Sequence, residues 1–457
     1  MEDLLKTEDK ETNIAVVLLS SIIAVIILLF AATQIGDKFT FSQILTFMIN
    51  GVVIFIMFVR GLSRYRFSID LIHSLFCLLF FWIAPIVQIS TGFNAWGIKV
   101  TTSDTIKANV LILIWLLFYN IGCIAVRDNR YEIKRVSFID IPEKPIMILW
   151  SLTIIYTLIT VAKNGFRIEE VSFSDTGKQS LNMLIRHSSV AFMTFSTIIT
   201  TLWFKNNNYS RFFSFISVIC LLLTCFPTSL SRYAAGSIYI CLLVNVCCWF
   251  QKKHRFMFLM ALGIVFAFPV MDLYRYRSIT EVSFSEIVNS IFSVKNYFNS
   301  GNYDAYQMLI VTTKYVEKYG VTYGRQLMGA LLFFIPRQIW NTKPIGSGAY
   351  MADVLNLEFN NISCPIVGEA YINFGLIGIV IFAFMFGYFV KKIDNTYWNR
   401  IEGEFSYISL LYFYLLPYTF FLCRGDMMST WAYLFANLVV LYFLVKILQK
   451  SVGDTKG

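Results

Sequence analysis

Charge is what this chain has least of. Only 14% of its 457 residues are Asp, Glu, Lys or Arg, against about 25% in an ordinary soluble domain. That scarcity excludes a water-soluble globular fold, and the 57% hydrophobic content agrees. Histidine is rarer still. His73, His187 and His254 lack the polar neighbourhood that a membrane acyltransferase would build around its catalytic histidine. No CxxC pair and no Cys/His cluster occurs, so neither a zinc site nor another metal or cofactor is expected. Eight of the nine cysteines lie in or at the ends of apolar runs, where a thiol packs as a small hydrophobe. Cys364 stands alone in a loop, and the Cys247-Cys248 pair reads as mid-span packing. A basic start is missing too. MEDLLKTEDKETN is acidic and polar, unlike the opening of a signal peptide.

What the chain does have is long apolar runs. About 20 such residues cross a bilayer as a helix. Runs of that length fall at 14–35, 42–59, 69–90, 106–126, 146–162, 185–204, 212–230, 233–250, 256–273, 366–390, 406–423 and 428–448. The expected fold is therefore an all-α integral membrane protein, a polytopic bundle of about twelve transmembrane helices forming one membrane domain over 1–457. Lys and Arg gather in alternate loops: Arg60, Arg64 and Arg66; Arg127, Arg130, Lys134 and Arg135; Lys252, Lys253 and Arg255; Lys391 and Lys392. The positive-inside rule then predicts both termini in the cytoplasm. Most of the net charge of +10 serves this orientation, and no nucleic-acid partner is expected.

The same orientation leaves 274–365, between spans nine and ten, as one large external loop. Long loops usually carry function. Apolar residues at helical spacing over 283–300 predict a helix lying flat on the membrane. A second helix is expected over 303–319. The apolar segment 327–335 is too short to span and reads as re-entrant or interfacial. It leads into FIPRQIWNTKPIGSG, residues 334–348. Pro336 and Pro344 stiffen this stretch. Arg337 and Lys343 therefore hang on a rigid frame with Trp340 between them, which suits an anion clamp because little entropy is lost on binding.

Other charges share that depth. Arg232 lies in the short turn between spans seven and eight, Arg275 and Arg277 follow span nine, and Arg186-His187 enters span six. Arg424 and Asp426 link spans eleven and twelve. Arginines at helix ends also snorkel to headgroups, so each has a plain alternative. Glu369 is harder to dismiss. It lies about one turn inside span ten, where a carboxylate is costly, and Asn373 shares its face. A structural pairing with one of the arginines is its alternative. Cations around one carboxylate suit group transfer from a diphosphate. Arginine forks bind phosphate oxygens and stabilise charge on the leaving group, and a carboxylate activates the acceptor hydroxyl.

FIPRQIWNTKPIGSG, followed by IVGEAYINFGLIG, resembles the C-terminal part of Wzy-type oligosaccharide repeat-unit polymerases, which build O-antigens and capsules. SLSRYAAGS resembles that family's arginine-bearing turn. The resemblance spans roughly 228–380; elsewhere only hydropathy and span count match. It implies a GT-C-like glycosyltransferase of the bacterial inner membrane. Such an enzyme would polymerise undecaprenyl-diphosphate-linked oligosaccharides at the outer face, in the phospholipid bilayer, with a chain-length-regulating co-polymerase as a partner. Carried over by motif, Arg232, Arg337, Lys343 and Glu369 would line the site; Arg275 and Arg277 join by position, with Asn373 and Trp340 in support. The long loop contains no histidine, unlike related O-antigen ligases, which leaves Glu369 as the expected base.

Two rivals remain. A flippase for the same lipid-linked sugars fits the span count, but transporters often show internal repeats and none is evident here. A ligase that passes glycan to lipid A or protein differs only in its acceptor.

Overall fold

The computed structural model describes residues 33, 38–97, 99–127, 141–165, 179–274, 281–292, 297–357, 359–360, 362–400 and 407–453. Among these the protein is helical and contains no strand. The helices are α1 (Phe41–Arg64), α2 (Ile69–Thr91), α3 (Thr102–Ala125), α4 (Glu143–Asn164), α5 (Gln179–Asn206), α6 (Arg211–Thr224), α7 (Arg232–Val246) and α8 (Lys253–Leu273). They continue with α9 (Phe284–Phe292), α10 (Ala305–Tyr319), α11 (Arg325–Leu331), α12 (Ser347–Leu355), α13 (Ile366–Arg400), α14 (Tyr407–Arg424) and α15 (Met427–Gly453).

Nine of the described segments are long and apolar enough to cross a bilayer: α1, α2, α3, α4, Arg211–Ser229, α8, α13, α14 and α15. The chain is a multi-pass helical membrane protein. The expected span 14–35 lies outside the described residues, apart from Thr33. The run 185–204 is a helix, α5, but its buried Thr194, Ser196, Thr197, Thr200 and Thr201 make it less apolar than the nine. The run 233–250 is a shorter helix than its hydropathy implies. α7 stops at Val246, so Cys247 and Cys248 lie beyond its end rather than in mid-span, and Cys248 is exposed.

Local chemistry explains the helix ends and the kinks. Thr40 with Gln43, and Thr101 with Asp104, form capping boxes that satisfy the first free N–H groups of α1 and α3. Proline removes an N–H and crowds the preceding turn. In α2 a π-helical stretch, Cys77–Ile83, precedes Pro85, and in α8 Gly263–Ala267 precedes Pro269. The wider turn accommodates each ring without ending the helix.

The 457 residues divide into two compact units. One collects Met1–Asp128, Ser293–Asp394 and Thr419–Ser429; the other Asn129–Phe292, Asn395–Tyr418 and Thr430–Gly457. In the first, polar side chains stitch the helices together. Trp82 donates to the Phe47 carbonyl at 2.8 Å, and Asn50 to the Asn109 carbonyl at 3.0 Å. The tyrosine hydroxyl of Tyr306 donates to the Thr105 carbonyl at 3.1 Å. That last bond belongs to α10, the helix expected at 303–319 in an external loop. It is no appendage: Ala305–Thr313 is buried without a break, in the core of its unit. α9 matches the flat surface helix better, with Phe284 and Phe292 exposed and no buried residue, although 293–296 lie outside the described residues.

Candidate functional site

α13 begins normally and then breaks. Gly375 takes φ +63° inside the helix, a conformation that a side chain would strain. In an unbroken helix the Ile372 and Asn373 carbonyls would accept from Leu376 and Ile377. Here they accept from Thr322 N at 2.8 Å and Gly324 N at 3.3 Å. The Asn373 side chain fixes the same connection. It donates to the Glu369 carbonyl at 2.9 Å and accepts from Leu327 N at 3.1 Å. Asn373 is therefore a brace between the broken helix and the segment before α11.

The short first piece of α13 carries Glu369, which is only 1% exposed. Its Oε2 accepts from the Ser347 hydroxyl at 2.7 Å and its Oε1 from Met427 N at 2.9 Å. Ser347 is the penultimate residue of the stretch 334–348, so that stretch is tied directly to the glutamate. Met427 opens α15, and the residue before it is Asp426. The Asp426 carboxylate caps α15 by accepting from Ser429 N at 3.0 Å. Burial holds this carboxyl above its ordinary value, although backbone N–H groups of Ser429, Met428 and Gly348 oppose the shift. Gly346 packs against it so closely that an added Cβ would run into Oδ2. Three elements thus converge on two neighbouring carboxyl groups. Among the described residues, neither has an ion-pair partner.

The two cations of the stretch are placed differently from a bare clamp. Lys343 is 7% exposed and turns inward, its Nζ donating to the Phe333 and Ile335 carbonyls at 2.5 and 3.0 Å. Arg337 is exposed, yet it donates to the Lys343 and Pro344 carbonyls at 2.7 and 3.3 Å. Both therefore hold the loop in shape. Arg337 uses two of the five N–H groups of a guanidinium in doing so. Trp340 is half-buried, and its backbone N–H closes a turn on the Pro336 carbonyl at 3.0 Å.

Arg232 belongs to the other unit. It opens α7 and pairs with Asp272 at 3.6 Å. Arg186 donates to the Ser229 carbonyl at 3.2 Å, and the His187 ring stacks on Tyr433 with centroids 3.5 Å apart. Arg275 and Arg277 lie outside the described residues. Arg424 is not a snorkelling residue: it binds the buried Asp304 carboxylate and the Gly301 carbonyl, each at 2.9 Å.

Sequence reasoning missed Ser347 as a partner of Glu369 and left Asp426 as a link between spans. The Asp-x-x-Ser spacing of Asp426 and Ser429 at the start of an apolar run is a helix-cap signature, which locates Asp426 but not its neighbour. No family model, curated protein or solved structure matches this chain.

Proposed function

We propose that this protein is a membrane glycosyltransferase that polymerises lipid-diphosphate-linked oligosaccharide repeat units, as the resemblance of 228–380 to Wzy-type polymerases implies. The carrying observation is Glu369, a buried carboxylate without an ion-pair partner among the described residues, held by Ser347 from the stretch that bears Arg337. In this reading Glu369 accepts the proton of an acceptor hydroxyl. The oxygen attacks the anomeric carbon of the donor, and the bond from that carbon to phosphate oxygen breaks. The leaving polyprenyl diphosphate takes the electron pair, and the remaining N–H groups of Arg337 neutralise it. Lys343 acts by holding the loop.

The reading carries its topology with it: about twelve spans in a GT-C-like arrangement, both termini cytoplasmic, and the site on the outer face of the inner membrane. Purified protein in lipid, supplied with lipid-linked repeat units, should build a ladder of longer lipid-linked chains. Glu369→Gln should abolish the ladder while the variant still accumulates in the membrane. A normal ladder from that variant would falsify the role of Glu369. A single transfer to lipid A would identify a ligase instead. Movement of the substrate between leaflets without bond formation would identify a flippase.

A further inference from the structure

The stretch after α11 has many of its backbone carbonyls held by protein donors. α11 has seven residues, about 10 Å of helix, and cannot cross a bilayer. From its end to Ser347 the chain makes turns and irregular backbone. A loop in water would leave its carbonyls to solvent. Here Lys343 Nζ takes those of Phe333 and Ile335, Arg337 those of Lys343 and Pro344, and Arg325 that of Thr342 at 3.2 Å. Backbone N–H groups of Ile335, Ile339, Trp340 and Lys343 close the turns onto Leu332, Pro336 and Trp340. Pro336 and Pro344 have no N–H to satisfy. Irregular backbone at membrane depth persists only when its polar groups are met by protein in this way.

Depth follows from the attachment to α13. The apolar run 366–390 ends at Val390, just before Lys391 and Lys392, and Ile372 lies six residues inside its N-terminal end. Thr322, Gly324 and Leu327 hydrogen-bond to Ile372 and Asn373, so α11 starts beside the N-terminal end of that run. One side of α11 is buried: Gln326, Gly329 and Ala330, with Gly329 against Pro344. Met328 and Leu331 are exposed, and so beyond the helix are Phe334 (60%) and Ile339 (79%). Phe374, packed on Gly324, is exposed as well, and Leu376, Ile377 and Ile381 continue that apolar surface along the spanning helix.

We infer that the segment from Met328 to Ile339 is embedded in the lipid leaflet at the N-terminal end of α13. Bilayer acyl chains cover its apolar side chains, Lys343 meets its Phe333 and Ile335 carbonyls, and Arg337 ties it to the Lys343 and Pro344 carbonyls that follow. The cations let a proline-bracketed loop enter hydrocarbon, which a loop open to water would not need.

The test places a fluorescent amino acid singly at positions 334, 339, 377 and 318 of the full chain in lipid nanodiscs. Position 377 is the span control, and 318 is the aqueous control, since Lys318 is exposed on the polar end of α10. Brominated acyl chains should quench 334 and 339 as strongly as 377, while iodide should quench only 318. Iodide quenching of 334 and 339 overturns the inference. Protection from both quenchers also overturns it, because it marks a protein neighbour, such as a second copy, on that face. With Lys343→Met, position 339 should lose at least about half of its bromolipid quenching as the loop leaves the leaflet. Lys343→Arg should restore it, and position 377 should stay unchanged as proof of folding. Unaltered quenching in Lys343→Met refutes the role given to that amine.

Discussion

Asp70 and Glu369 are two carboxyl groups of one unit, both nearly sealed from solvent, and their company differs. Asp70 is met by Arg60 through two bonds, at 2.7 and 3.1 Å, and by the Tyr119 hydroxyl at 2.8 Å. Arg60 also reaches the Asn120 side-chain oxygen. Asp394 completes the cluster by accepting from Ile69 N and Asp70 N, at 2.9 and 3.1 Å, at the start of α2. The Asp70 charge is met by an opposite charge, and the result is a locked junction of helices. Glu369 has a serine hydroxyl, one backbone N–H and a second carboxyl, Asp426, as its neighbours. A buried ion pair is evidence of architecture. A buried carboxylate left without a cation costs stability and is retained where it has a task, which is why Glu369 and not Asp70 is the candidate for chemistry.

The comparison can be broken most sharply at Glu369. If it is the proton acceptor, Glu369→Gln should lower polymer formation by about 10²–10⁴-fold with little change in unfolding, since a positioned base contributes on that scale. Asp70→Asn should show the reverse pattern, less folded protein but activity in proportion to it. Arg60→Met leaves Asp70 unpaired and should cost about 3 kcal/mol in thermal or denaturant unfolding. That is the low end for a broken buried pair, because Arg60 is itself a third exposed. Equal stability of Arg60→Met and the parent would remove the distinction between the two regions.

Smaller effects should sharpen it. Gly346→Ala pushes a methyl group into the Asp426 carboxylate and should destabilise by about 1–3 kcal/mol, readable as a lower unfolding midpoint. Ser347→Ala removes one of the two donors to Glu369. It should cost about 1 kcal/mol of stability but a larger share of activity, and a change in stability alone would make Ser347 purely structural. The smallest effect concerns pH. The folded Asp426 carboxyl is held above its ordinary value, so its contribution to stability is complete below the ordinary carboxylate range. It is lost as pH rises through the folded value. Asp426→Asn should flatten that part of the stability-versus-pH curve, and an unchanged slope would show that Asp426 is not its source.

Much of this arrangement could be read beforehand. Glu369 announced itself because a carboxylate one turn inside an apolar run is expensive wherever it occurs. Asn373, four residues on, followed from helical spacing, though its brace to Leu327 did not. The burial of α10 had a signal that was passed over: Met308, Leu309, Ile310 and Val311 are consecutive and apolar, and a helix greasy on all sides belongs in a core. Topology masked it, since a segment between two spans reads as a loop. The end of α7 was overrun because Cys247, Cys248, Trp249 and Phe250 are as apolar as the helix before them, and hydropathy does not register backbone geometry. Arg337 and Lys343 were identified as important for the right reason, a rigid cationic loop. The atoms they hold were out of reach, because a carbonyl six residues away and a phosphate attract the same N–H groups.

Composition and periodicity alone therefore determined that this is a helical membrane protein, where most of its spans lie, and that Glu369 is out of place in its span. Those properties depend on transfer from water to hydrocarbon, which is additive along the chain and needs no partner. Tertiary structure decided that Ser347 and Met427 hold Glu369 and that Asp426 shares its pocket. It also decided that Asp70 is neutralised while Glu369 is not. These outcomes depend on the meeting of residues 22 and 58 positions apart along the chain, and the energy of a buried charge is set by whatever stands within a few ångströms of it.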